Sequence, residues 1–128
     1  MERTLYGSMD AQNMEELLEL FYPKVLKDPV LAPFFRKKLG EDINSPQWKT
    51  HLHTVLEFWK FLALGYDEYT NNPFQPHENM QGLSRKIFEQ WLHLFYETIY
   101  EVYEPYAGDY LKDKSNAIAE NFMKKLEL

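Results

Sequence analysis

Two stretches of the chain carry apolar residues at steps of three and four over a length no ordinary strand reaches. Trp48, His51, Leu52, Val55, Phe58, Trp59 and Leu62 share one helical face, and Ile87, Phe88, Trp91, Leu94, Phe95, Thr98, Ile99 and Val102 share another. Both stripes predict long helices whose apolar faces must be covered. Ser45-Pro46 opens the first with an N-cap and a proline at the first helical position. The spacing gives it about 19 residues, roughly 28 Å, ending near Gly65. Ser84 caps the second, and Pro105 to Gly108 are expected to end it. Between the two, Asn71, Asn72, Pro73, Pro76 and Gly82 mark an insert rich in turns.

Three shorter patterns complete the reading. From the N-cap Asp10, the residues Met14, Leu17, Leu18, Phe21, Tyr22 and Val25 predict a helix that kinks or tightens at Pro23 and is stopped by Asp28-Pro29. Val30 to Leu39 reads as one or two helical turns halted at Gly40. A last helix is expected from Asp109 to Leu126. No alternating apolar pattern is bounded by turns, so the expected fold is all-α, in one domain over residues 1–128. Residues 1–10 are expected to form a flexible extension.

Charge and composition narrow the partners. Fourteen basic against 20 acidic residues give a net charge of −6 with no basic run to neutralise phosphates, which argues against nucleic acid and anionic membranes. No stretch approaches the ~18 apolar residues of a membrane span, and the first residues do not form a signal peptide, so a cytoplasmic protein is expected. The absence of Cys excludes thiolate chemistry and covalent attachment of a c-type haem. Nine Phe, nine Tyr and three Trp are an aromatic excess with something large and flat to line.

Four histidines are the side chains able to titrate near neutrality without perturbation. His53 and His93 lie two positions, about 200°, from stripe residues and should face solvent. His51 stands on the stripe itself. There it is either a core histidine bonded to a backbone carbonyl or a functional group in a pocket. His77, held by Pro76, is either an exposed loop residue or an imidazole presented in a fixed direction. No zinc, serine-hydrolase, P-loop or dinucleotide signature is present. Tyr22, His51 and Trp91 are the Tyr-His-Trp set on inward faces.

These residues together resemble the truncated haemoglobins, and among them the third group. The resemblance runs from about Asn13 to Lys125 and rests on Phe21-Tyr22, the corner Leu31-Ala32-Pro33-Phe34-Phe35, Trp48-Lys49-Thr50-His51 and Phe58-Trp59. It continues in a single His77 and in Trp91-Leu92-His93-Leu94-Phe95 fourteen residues later. It implies a two-over-two helical sandwich around haem b, with His77 as the proximal ligand of a five-coordinate iron. Tyr22, His51 and Trp91 would be the distal polar groups. Phe21, Phe35, Trp48, Leu52, Val55, Trp59, Phe88 and Trp91 would line the porphyrin, with Phe35 as its wedge. Pro23 after Tyr22 and Pro76 before His77 depart from the family pattern.

The implied ligands are dioxygen, carbon monoxide and nitric oxide, and peroxide as a reactant. Two hydrogen-bond donors beside the ligand favour slow oxygen release, hence reactive-oxygen or nitric oxide chemistry over transport. With no reductase domain of its own, the chain would need an external electron donor to turn over as a peroxidase or nitric oxide dioxygenase. The alternatives are a ligand store or sensor without turnover and, outside the family, a cofactor-free helical interaction domain.

Overall fold

A computed structural model describes residues 5–64 and 84–128 of the chain. Among these, five helices appear: α1 (Ala11–Val25), α2 (Ala32–Leu39), α3 (Pro46–Leu64), α4 (Arg85–Val102) and α5 (Pro105–Lys125). The starts follow the capping chemistry expected of them. Asp10 accepts from the Asn13 N–H at 2.8 Å while the Asn13 side chain accepts from the Asp10 N–H at 2.9 Å, a reciprocal cap. Ser45 Oγ accepts from Trp48 N, and Ser84 Oγ from Ile87 N, each at 3.3 Å.

Pro23 lies inside α1, where it has no N–H to give the Glu19 carbonyl, and α1 ends two residues later at Val25. The expected end of α4 needs correction. Pro105 to Gly108 do not stop that helix; Tyr103 does, in extended backbone, and Pro105 occupies the first turn of α5. Proline suits that position because its missing N–H would have no intrahelical partner there. Gly108 thus sits within α5, donating to the Glu104 carbonyl at 2.8 Å. A Cβ there would stand 2.8 Å from Tyr100 Cε1, so the glycine lets α4 and α5 approach closely.

α1 packs with α3, α4 with α5, and the α1 and α4 faces join the two pairs into the two-over-two sandwich. The main core lies between them, with Phe21, Val25, Leu31, Trp48, Phe95, Ile99, Val102 and Tyr103 wholly buried. α1 runs antiparallel to α4: Asn13 meets Tyr103 and Lys24 meets Thr98. Tyr6, in the stretch expected to be a flexible extension, is tied to the far end of α4. It donates to the Val102 carbonyl and accepts from Glu104 N–H, both at 2.9 Å, and its ring lies 6.4 Å from that of Tyr103. No β-strand forms among the described residues, and none of the described helices is long and apolar enough to cross a membrane.

Asn13, 2% exposed, is the polar centre of this end. Its Oδ1 accepts from the Tyr103 hydroxyl at 2.6 Å, and its Nδ2 donates to the Ser8 carbonyl at 2.9 Å. Asn13→Ala strips the cap of half its bonds and leaves a buried hydroxyl unpaired. Chemical denaturation should show a loss of about 2–3 kcal/mol, whereas Tyr103→Phe, which removes donor and not acceptor, should cost less.

Candidate functional site

Tyr22 is placed on the inner face by simple periodicity: it follows Phe21 on α1, and both are buried. Its residue is only 2% exposed. The ring meets Phe35 at 6.3 Å, Trp48 at 5.6 Å and His51 at 5.2 Å between centroids, each edge to face. These are the tilted geometries that aromatic quadrupoles favour. Trp91 on α4 reaches the same spot across Phe21, whose ring lies 4.9 Å from that of Tyr22 and 5.1 Å from that of Trp91. Burial pushes the Tyr22 phenol well above its ordinary pKa, and the neighbouring Trp91 indole pulls in the opposite direction without cancelling it. The phenol therefore stays protonated through the neutral range, with its own O–H available to donate.

The surrounding cage is fixed from α2 and α3. Trp48 is fully buried and donates its indole N–H to the Gly40 carbonyl at 2.8 Å. Gly40 has φ 87°, a left-handed conformation in which a side chain is strained, so the glycine that ends α2 also sets the acceptor for Trp48. Phe35 stacks on Trp48 at 6.2 Å and 25°. His51, half-buried, stands edge-on to both Trp48 at 5.6 Å and Phe35 at 6.4 Å. On the other side Trp91 and Trp59 each stack on Phe95, at 4.7 and 5.4 Å, while Phe21 meets Trp91 and Phe95 edge to face.

The structure thus gathers Tyr22, His51, Trp91, Phe21, Phe35, Trp48 and Trp59 into one aromatic assembly. Leu52 and Val55 lie on α3, half-buried, packed against the main core. Phe88 is set apart from the cage around Tyr22: it joins Leu92, Ala119, Phe122 and Met123 in a second cluster between α4 and α5. His53 and His93 are exposed, as their phase requires. His77 lies outside the described residues.

The fit to a porphyrin rests on uneven burial. The stripe of α4 is wholly covered at Phe95, Ile99 and Val102 but only half-covered at Ile87, Trp91 and Leu94, and α3 leaves His51, Leu52, Val55 and Phe58 half-covered. Apolar stripes left incomplete along two helices are what a large flat apolar group would finish covering. No group of acidic, His or Cys side chains able to hold a bare metal ion exists among the described residues. The residues present fit haem.

Fold and site together match the shortened, two-over-two globin architecture. No protein-family model matches the chain. It is 29% identical over 121 residues to the group 3 truncated hemoglobin ctb of Campylobacter jejuni, covering 94% of each chain. A crystal structure of a group III truncated hemoglobin from Campylobacter jejuni superposes with a TM-score of 0.87, at 29% identity, over 96% of this chain and 95% of the other. In sequence and in fold the chain is thus similar to the group III truncated haemoglobins, a likeness that implies a haem cofactor and the binding of small gaseous ligands.

Two buried phenols carry a consequence for pH. Tyr22 and Tyr103 both have pKa values raised chiefly by burial, with the charges of Asp10 and Glu16 adding to the effect at Tyr103. Above pH 10 the unfolded chain releases these protons while the folded one keeps them, so stability falls as pH rises from that point. The slope should be up to ~1.4 kcal/mol per pH unit for each group. Denaturation midpoints between pH 9 and 12 should show a shallower decline in Tyr22→Phe and Tyr103→Phe than in the parent protein.

Proposed function

We propose that this chain holds haem b through His77 and binds dioxygen, carbon monoxide and nitric oxide in a pocket governed by Tyr22, Trp91 and His51. Its use is reactive-oxygen or nitric oxide chemistry, with electrons from a separate donor, and not oxygen transport. The observation that carries this reading is a buried Tyr22 walled by Phe21, Phe35, Trp48 and His51, with Trp91 across Phe21. A phenol kept neutral by burial among rings is a fixed donor, with no water to compete for its O–H.

Bound in this pocket, haem supplies an iron centre with one open position for a diatomic molecule. The protein's residues do the rest. Tyr22 and Trp91 donate to a ligand that gains negative charge and have less to offer one that does not. Each such bond is worth ~1.5–3 kcal/mol, and 1.4 kcal/mol is tenfold in off-rate at a constant on-rate. His51, half-buried, stands edge-on to the Tyr22 ring at 5.2 Å. An imidazole titrates near neutrality, so His51 is suited to pass protons to a peroxide held in the pocket. Phe35, Trp48, Leu52, Val55, Trp59 and Phe21 exclude water around these donors.

Tyr22→Phe and Trp91→Phe should each speed dioxygen release about tenfold or more in stopped-flow measurements and leave carbon monoxide release nearly unchanged. Equal effects on both gases would mean that access to the pocket, not hydrogen bonding, sets the rates. His77→Ala should lose haem on gel filtration, seen as a loss of Soret absorbance, while His51→Leu keeps haem and slows its reaction with peroxide. A His77→Ala protein with full haem content and an unchanged ferrous spectrum would overturn the proximal assignment.

A further inference from the structure

The carboxylate of Asp28 lies outside the aromatic cage, yet it joins the two sides of it. Asp28 stands in the turn after α1 and is only 9% exposed. Its Oδ2 accepts from the backbone N–H groups of Val30 and Leu31, each at 2.9 Å, which fixes the corner from which α2 and Phe35 begin. Its Oδ1 accepts from Gln90 Nε2 at 2.7 Å, across 62 residues of sequence. Gln90 is the residue before Trp91 on α4.

Packing alone does not fix Trp91 closely enough. The contacts of Trp91 with Phe21 and Phe95 are ring against ring, and such contacts tolerate a slide of part of an ångström. Tyr22 meets the same Phe21 ring, so a slide of Trp91 changes where its indole N–H stands relative to the phenol. A directional bond one residue away supplies the missing constraint. The ion pair of Lys24 with Glu101, together with its 3.1 Å bond to Thr98, ties α1 to α4 two turns further along, so Gln90 and Thr98 anchor the same ridge of α4 at both ends. The bond to Gln90 is also hard to give up, since a buried carboxylate oxygen left without a donor costs more than the bond itself contributes.

We propose that Asp28 and Gln90 are positioning residues, whose bond holds α4 against the α1–α2 corner so that the Trp91 indole stays in its place beside Phe21 and the Tyr22 phenol. The inference deepens the proposed function and rests on it only where it concerns gas release. It is tested on the full chain as purified, kept under carbon monoxide, with 15N-labelled indoles identified by Trp91→Phe. Gln90→Leu matches the shape of glutamine without its donor. It should move the Trp91 indole resonance and speed that proton's exchange with solvent tenfold or more, with the Trp48 indole on Gly40 unchanged. Gln90→Lys, whose ammonium can donate to Asp28, should restore the parent behaviour. If Gln90→Leu fails to fold, Gln90→Ser should give the same change. In the same variants dioxygen release should rise several-fold and carbon monoxide release should not.

A Gln90→Leu or Gln90→Ser protein that melts earlier but keeps the parent Trp91 resonance and exchange rate would overturn the proposal, leaving the bond as a stabiliser of the corner alone. So would a Gln90→Lys protein that folds but fails to restore them. A changed Trp91 indole with dioxygen release unaltered would support the positioning role and overturn the assignment of Trp91 and Tyr22 as donors to the ligand.

Discussion

A phenol hydroxyl sealed inside an aromatic cage has to find its partners within the protein, and at Tyr22 that requirement organises the pocket. Phe21 beside it meets Trp91 and Phe95 edge to face, so α4 has to stand close to α1 and in one rotational setting. The faces of the ring are served by Phe35, Trp48 and His51, so α2 and the start of α3 have to fold back over it. Gly40 follows from the same demand, since the Trp48 indole could not be buried without its carbonyl. One neutral oxygen thus sets the placement of four helices, and the pocket inherits its polarity from that oxygen.

Much of this was legible in the sequence, for a physical reason. Caps and stripes are local: Asp10, Ser45-Pro46 and Ser84 mark their helices by chemistry acting over three or four residues, and the three helices begin where these residues stand. The inward phase of Tyr22, His51 and Trp91 follows from the same periodicity. Pro105 was ambiguous because proline serves equally to close one helix and to open another, and only the extended backbone at Tyr103 decides between them.

What periodicity does not carry is pairing at a distance. Asp28 next to Pro29 reads as a stop, and nothing in its neighbourhood indicates that its second oxygen is reserved for Gln90. Asn13 reads as a third-position cap residue, which it is, but its bond to Tyr103 spans 90 residues. In both cases the side chain has a local role that fully accounts for its identity, and the long-range role is hidden behind it. Phe88 shows the converse: its place on the α4 stripe is local information, while the choice between the main core and the second cluster is made by α5.

The tie between Tyr6 and the end of α4 changes where the molecule can yield. An unanchored first helix opens from its free end, because the first turn has the fewest bonds to break. Here that end is clasped on both sides of Tyr6 by Val102 and Glu104 and locked beneath by Asn13. Local opening therefore falls to the places with the least buried surface, and along the described helices that is the half-covered stripe of α3. The molecule is stiff where Tyr6 meets the junction of α4 and α5 and compliant beside its pocket.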